Sequence, residues 1–256
     1  CATCAGICPS EAIEMAIHPS GCYMPQLNQN LCLECHLCME VCPRLRTYTT
    51  GDGKREFILA DNLHELTENI FGSSSDDEWL GHCRFFFRGH ACDDAIRYNA
   101  SSGGMVTALL LYALRSGIID GAIVVKMSAD MPLLPSVFIA TTENEILEAA
   151  RSKYCPVPLN LAIREVSRFH GRVALVGLPC HLQGVRRAEE CLPWLAQKVV
   201  LHIALACFHA VTFAGTRFLL ARNNIDPKWV THLEYRGRGW PGSVLIQMAN
   251  GEERLI

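Results

Sequence analysis

The chain lacks an excess of either charge. Its 23 Lys and Arg are set against 26 Asp and Glu, a formal net charge of −3. No basic face is available to grip nucleic acid. It also lacks an apolar run long enough to cross a bilayer. GMVTALLLYAL is too short, and VVLHIALACFHAVTFAG carries two histidines and reads as a strand followed by a helix. No leader segment and no initiator methionine are visible. Half the residues are nonetheless hydrophobic and the mean hydropathy is +0.15, so 256 residues can bury a sizeable core.

Cysteine, by contrast, is abundant, with 14 residues. A secreted disulfide scaffold of this cysteine content is usually far shorter. Here the cysteines also fall at metal-ligand spacings, which points to a reducing, cytoplasmic setting. LCLECHLCMEVCP places Cys32, Cys35, Cys38 and Cys42-Pro43 in the C-x2-C-x2-C-x3-C-P pattern of cubane clusters. CATCAGICP supplies Cys1, Cys4 and Cys8-Pro9, the last three cysteines of the same pattern, so the chain is expected to be a fragment of a longer protein. In a two-cluster module the fourth cysteine of each run crosses to the other cluster. Cys1, Cys4 and Cys42, with a cysteine expected upstream of Cys1, then serve one [4Fe-4S] cluster, and Cys32, Cys35, Cys38 and Cys8 the other. A zinc site is the rival, but it prefers two separated C-x2-C pairs. Cys22 has no ligand spacing and reads as a buried free thiol.

Residues 1–47 are thus expected to form a small α+β ferredoxin-like module, with a short helix over PSEAIEMAI between its two runs. Residues 48–88 read as a polar linker around a helix LHELTENIF. Residues 89–256 alternate strands and helices. GAIVVKM, SVFIATT, RVALVGL and KVVLHIALA read as strands. GGMVTALLLYALRSG, ENEILEAAR (capped by Thr142), LNLAIREVSRF, HLQGVRRAEE and AVTFAGTRFLLARN read as helices. THLEYRG and SVLIQMA suggest a late hairpin, and the C-terminal end reads as another strand. The fold class expected is α/β, a mostly parallel sheet with flanking helices.

Four stretches of this domain carry candidate chemistry. In NASSGGMVTALL, Ser101, Ser102, Gly103 and Gly104 lead into a helix whose free N–H groups favour phosphate or an electron-rich ring edge. Equally, they could be a plain cap. In ARSKYCPVPLN, Lys153 follows a helix and precedes a proline-rich turn, pointing into a cleft or simply into solvent. Cys180 and Cys207 each follow a strand, so a parallel sheet would bring them to one edge, as cluster ligands or as inert thiols. YRGRGWPG offers Arg236 and Arg238 to an anion, or is an ordinary turn.

In this order, the two-cluster module, SSGGMVTALL, SKY, VGLPCHLQG, LACFH and RGRGW resemble the beta subunit of coenzyme F-420 hydrogenases and dehydrogenases. That family also includes ferredoxin-linked flavoenzymes acting on chlorophyll-type pigments. The resemblance covers almost the whole chain. It implies an FAD-dependent oxidoreductase with [4Fe-4S] clusters, exchanging electrons between a reduced deazaflavin and ferredoxin or a partner subunit. It implies a flavin against Ser101, Ser102, Gly103, Gly104, Ser152, Lys153 and Tyr154, with Pro179, Arg236 and Arg238 as further cofactor contacts and Lys153 as the catalytic residue stabilising the reduced ring. The family's P-C-Q appears as Pro179-Cys180-His181 and its C-H-G as Cys207-Phe208-His209, two departures. A third cluster on Cys180 and Cys207 would need a downstream C-x2-C pair. Reduction of an organic, tetrapyrrole-like substrate, and a non-catalytic relay subunit of a larger complex, are the alternative functions.

Overall fold

A computed structural model of the chain describes residues 1–51, 53–59, 63–72, 81–207 and 210–256. The first thiol run carries helix α1 (Thr3–Ile7), and the second carries α2 (Leu37–Glu40). Between them the expected helix over PSEAIEMAI is absent. Strand β1 (Ile13–Ile17) stands there instead, paired antiparallel with β2 (Tyr23–Leu27). The short segment fits both periods, and the cross-strand partner decides it. The segment expected as a linker holds a second hairpin, β3 (Leu45–Thr49) with β4 (Arg55–Leu59), and helix α3 (Leu63–Phe71).

After α4 (Asp94–Tyr98) and α5 (Met105–Arg115) come β5 (Gly121–Met127), β6 (Pro135–Ala140), α6 (Glu143–Glu148), α7 (Ile163–Arg168) and β7 (Val173–Gly177). Then follow α8 (Pro179–Cys191), α9 (Pro193–Lys198), β8 (Val199–Ala204), α10 (Phe213–Arg222), β9 (Val230–Gly237), β10 (Ser243–Met248) and β11 (Glu253–Leu255). The central sheet has the order β6-β5-β7-β8. It is mixed rather than simply parallel: β7 runs parallel to both β5 and β8, while β6 returns antiparallel along the other side of β5. β9, β10 and β11 form a separate antiparallel sheet, so the late hairpin extends to three strands.

Alternation along β5 and β7 buries the central sheet on both faces. Ile123, Val173 and Leu175 face one apolar cluster with Leu159, Ile163, Val166 and Val185. Ala122, Val124 and Ala174 face the other, against Leu110 and Leu111 of α5 and Ile146 of α6. The α6 start is a full capping box, with Thr142 and Glu145 each bonding the other's backbone N–H. Ile7 of α1 and Val41 after α2 enter the first of these clusters, so both thiol runs pack directly on the α/β layer.

That packing is close enough to demand bare backbone. A Cβ on Gly6 would lie 1.9 Å from the Asn160 carbonyl oxygen, and one on Gly184 of α8 would lie 2.0 Å from Thr3 Oγ1. Gly6→Ala should therefore cost about 1–3 kcal/mol by overpacking. Gly51→Ala, where a Cβ would meet nothing within 4 Å, should leave the denaturation midpoint close to that of the parent chain. Equal midpoints for the two variants would refute the close docking of α1.

Candidate functional site

A cleft of about 680 Å³ opens at the carboxyl ends of the parallel strands, the edge where α/β sheets bind ligands. Val176, Gly177 and Leu178 at the end of β7 form part of its wall, with Val124 and Val125 of β5. The volume lies in the range of organic ligands and cofactors, and the lining is largely aliphatic.

Two polar segments meet at this wall. Ser101, Ser102, Gly103 and Gly104 bring the start of α5 to the cleft, and Ser152, Lys153 and Tyr154 cross beside them. The Ser152 backbone N–H donates to Ser101 Oγ at 2.7 Å, which ties one segment to the other. The glycines have structural duties of their own. A Cβ on Gly103 would press within 3.2 Å of the Gly89 carbonyl and the His90 side chain, and Gly104 holds a left-handed φ of +75° at the α5 N-cap. Bare backbone is thus required there by the 89–96 segment, a reason that a ligand-centred reading of the glycines overlooks.

Lys153 Nζ donates to the carbonyls of Ala149, Ala150 and Arg151 at 2.6, 2.7 and 2.9 Å, completing the C-terminal end of α6. Burial pushes its pKa down to about 7; Glu234 opposes the shift and Arg151 adds to it. Tyr154 is exposed, its hydroxyl accepts from Arg236 Nε at 3.2 Å, and its ring meets Tyr235 edge-on at 6.0 Å.

Three further residues of the cleft have no role assigned from the sequence. Arg151, at φ +72°, clamps Asn99 through both its carbonyl and its side chain and pairs with Glu234 of β9. His181 is buried and held neutral, its pKa pushed down to about 4 by burial. Its Nδ1 accepts the Leu178 N–H at 3.1 Å, and Nε2 lies 3.2 Å from the Val157 carbonyl, which it can bond only as the N–H tautomer. This side chain closes the start of α8, the position where the family has glutamine. Cys155 is also buried in the lining, and burial lifts its thiol to about 11.

The remaining candidates are placed as follows. Cys207 lines the cleft beyond β8, whereas Pro179 and Cys180 form the first turn of α8 without lining it. β7 and β8 are parallel neighbours, with Gly177 beside Ala204, so both cysteines follow the same sheet edge. Arg236 reaches the cleft only through Tyr154, and Arg238 pairs with Glu253 away from it. Phe208 and His209 lie outside the described residues.

All the cysteines are free thiols. The two runs face each other: burial raises the Cys38 pKa, as do the charges of Cys35, Cys8 and Cys32, while Cys4 is raised by burial and by Cys42 and Cys38. Cys38 thus interacts with thiols of both proposed sets. Among the described residues no three acidic, histidine or cysteine side chains converge on a single-ion site. A cubane presents four separate irons to its four thiolates, so its ligands stand farther apart than those of one ion. Among the described residues no helix is long and apolar enough to cross a membrane.

Known proteins resemble this chain in sequence and fold. The family model for the coenzyme F420 hydrogenase/dehydrogenase beta subunit matches in its N-terminal part over residues 86–164 and in its C-terminal part over residues 170–256. The coenzyme F420 hydrogenase subunit beta of Methanothermobacter thermautotrophicus is 27% identical over 168 residues, covering 63% of this chain and 59% of that protein. The coenzyme F420-dependent sulfite reductase of Methanocaldococcus jannaschii is 25% identical over 99% of this chain and 36% of its own length. A solved structure of the F420-reducing [NiFe] hydrogenase complex from Methanosarcina barkeri contains a chain of similar fold, with TM-score 0.51 and 26% identity over 65% of this chain and 58% of that one. The chain thus spans between about a third and three-fifths of the relatives it matches. With both parts of one family model matched in order, the chain belongs to the coenzyme F420 hydrogenase/dehydrogenase beta-subunit family.

Proposed function

We propose that this chain is the electron-transfer part of an iron–sulfur flavoprotein oxidoreductase. It would pass electrons between a reduced deazaflavin of the coenzyme F420 type and ferredoxin or a partner subunit. The observation that carries the reading is the meeting of Ser101–Gly104 and Ser152–Tyr154 at a largely aliphatic cleft on the carboxyl edge of the sheet. α8 starts at that edge and packs along the thiol runs. Such a cleft suits the flat ring of FAD, and the start of α5 suits its anionic groups. Bound FAD would supply the exchange between two-electron and one-electron chemistry.

The chain's own residues bind, orient and shield. The aliphatic strand ends exclude water from the ring's face. Neutral His181 fixes the start of α8 beside the cleft without adding charge. Lys153 holds its Nζ at the cleft wall as an ammonium below about pH 7 and as an amine above it. The thiols of Cys1, Cys4 and Cys42 would supply three of the four ligands of one [4Fe-4S] cluster, and those of Cys8, Cys32, Cys35 and Cys38 would hold a second. Support comes from the nearness of the two runs, with Cys38 raised by Cys35, Cys8 and Cys32, and Cys4 raised by Cys42 and Cys38.

Cys35→Ala should lower the iron content of anaerobically prepared protein by about one cluster, and should remove one of two paramagnetic signals while the α/β layer stays folded by circular dichroism. Zinc in place of iron would refute the cluster reading.

Lys153 gives a second test with a defined sign. The unfolded chain keeps this proton up to about pH 10, whereas the folded chain releases it near pH 7. Between those values the unfolded state binds more protons, so this lysine makes stability rise with pH. Denaturant titrations without cofactor should show that slope diminished in Lys153→Met. In FAD titrations the wild-type affinity should fall as pH rises through about 7, and Lys153→Met should bind about tenfold more weakly at pH 6, as for the loss of one charge-assisted bond of about 1.4 kcal/mol. Identical pH dependence in the variant would remove Lys153 from the flavin site.

A further inference from the structure

We infer that the Thr3 hydroxyl raises the reduction potential of the cluster held by Cys1, and that Asn160 is the residue that positions it. The inference rests on the iron–sulfur reading above and deepens it by naming what tunes one of the two clusters.

Thr3 is fully buried, and its Oγ1 donates to Cys1 Sγ at 3.4 Å. Asn160, also fully buried, donates from Nδ2 to Thr3 Oγ1 at 2.8 Å and from the same nitrogen to the His181 carbonyl at 2.8 Å. The two acceptors fix which end of the amide faces Thr3, because only the nitrogen end can donate to both. A donor arriving at Thr3 Oγ1 occupies the hydroxyl from one side. The single hydroxyl proton is then left for the sulfur. The Asn160 backbone N–H reaches the Cys1 carbonyl at 3.0 Å, so the same residue also fixes the backbone that carries the sulfur. Gly184 closes the space behind Thr3, where any Cβ would collide with the hydroxyl.

A hydrogen bond to a ligating sulfur draws electron density away from the cluster and favours its reduced form. The donor that aims this bond is itself anchored to His181, whose side chain lines the cleft. On the other side of the same thiol group, Arg187 of α8 donates to the Cys42 and Leu45 carbonyls at 2.8 Å each, and sets a fixed positive charge beside Cys42. It acts in the same direction.

The test is a redox titration of the full chain, reconstituted anaerobically and followed by paramagnetic resonance. Iron in the wild type is measured first; protein that takes up no clusters defeats the proposed function itself, before any variant is made. Thr3→Val removes the hydroxyl at nearly constant volume. It should shift the reduced-to-oxidised ratio of one cluster at fixed potential by about tenfold toward the oxidised form, about 59 mV for a one-electron couple. The other cluster should stay in place, and Thr3→Ser should restore the wild-type value. Unchanged potentials in Thr3→Val overturn the inference. Where Thr3→Val loses the cluster, Thr3→Ala removes the same hydroxyl without a branched side chain against Gly184 and is read in the same way. Loss of the cluster in both, with retention in Thr3→Ser, would assign the hydroxyl to holding the ligand and also overturn the inference.

Discussion

Asn160 sits where the thiol runs and the α/β layer meet. Its backbone N–H holds the Cys1 carbonyl, its Nδ2 joins Thr3 to the His181 carbonyl, and its own carbonyl lies against bare Gly6. An amide buried among apolar side chains is costly unless its hydrogen bonds are made, and a network completed there holds its members in one arrangement. Both donors of Asn160 are used, while Oδ1 is buried with no partner among the described residues. The cost falls at the point that fixes the first cysteine run. Glycine at 6 and 184 is what lets the two layers approach closely enough for these bonds to form. Arg164 adds a second fixation, reaching the Ala5 and Ile13 carbonyls from α7.

The cleft is built so that charge is costly in its depth. Burial depresses two of the basic groups that reach it, leaving His181 neutral and Lys153 balanced near neutrality. Three backbone carbonyls accept from Lys153 Nζ, which places the lysine at the negative end of α6. The start of α5 brings the opposite helix end to the same space. A ligand bearing anionic groups and a flat apolar body meets complementary surroundings there.

Much of this was legible in the sequence because it is local. Cysteine spacing places the two thiol runs as neighbours, and Cys38 lies within electrostatic reach of Cys8 and Cys4 of the other run. The α6 cap, the start of α5 and the strand–helix alternation are likewise local signals. What escaped depends on distant partners. β1 reads as a helix until β2 pairs with it. β6 follows β5 in sequence, yet only the sheet reveals that it turns back antiparallel. Gly103 looks like an opening for a ligand, but Gly89 and His90 already fill the space beside it. Arg151 and Asn160 stand at the two ends of the ARSKYCPVPLN stretch, where the SKY segment alone carries a motif, and their importance comes from residues tens to more than a hundred positions away.

α8 converts these contacts into a fixed relation between cleft and thiols. His181, Gly184 and Arg187 recur every three residues and so lie along one side of the helix. The first lines the cleft, the second admits Thr3, and the third holds the carbonyls around Cys42. At 1.5 Å per residue the helical rise from His181 to Arg187 is about 9 Å. Val185 and Ala188, four residues after His181 and Gly184, share that side and pack into the core under the sheet. A helix held along one side by both packing and hydrogen bonds cannot slide without breaking them. Any group held by the thiols is therefore kept at a constant separation from any group in the cleft.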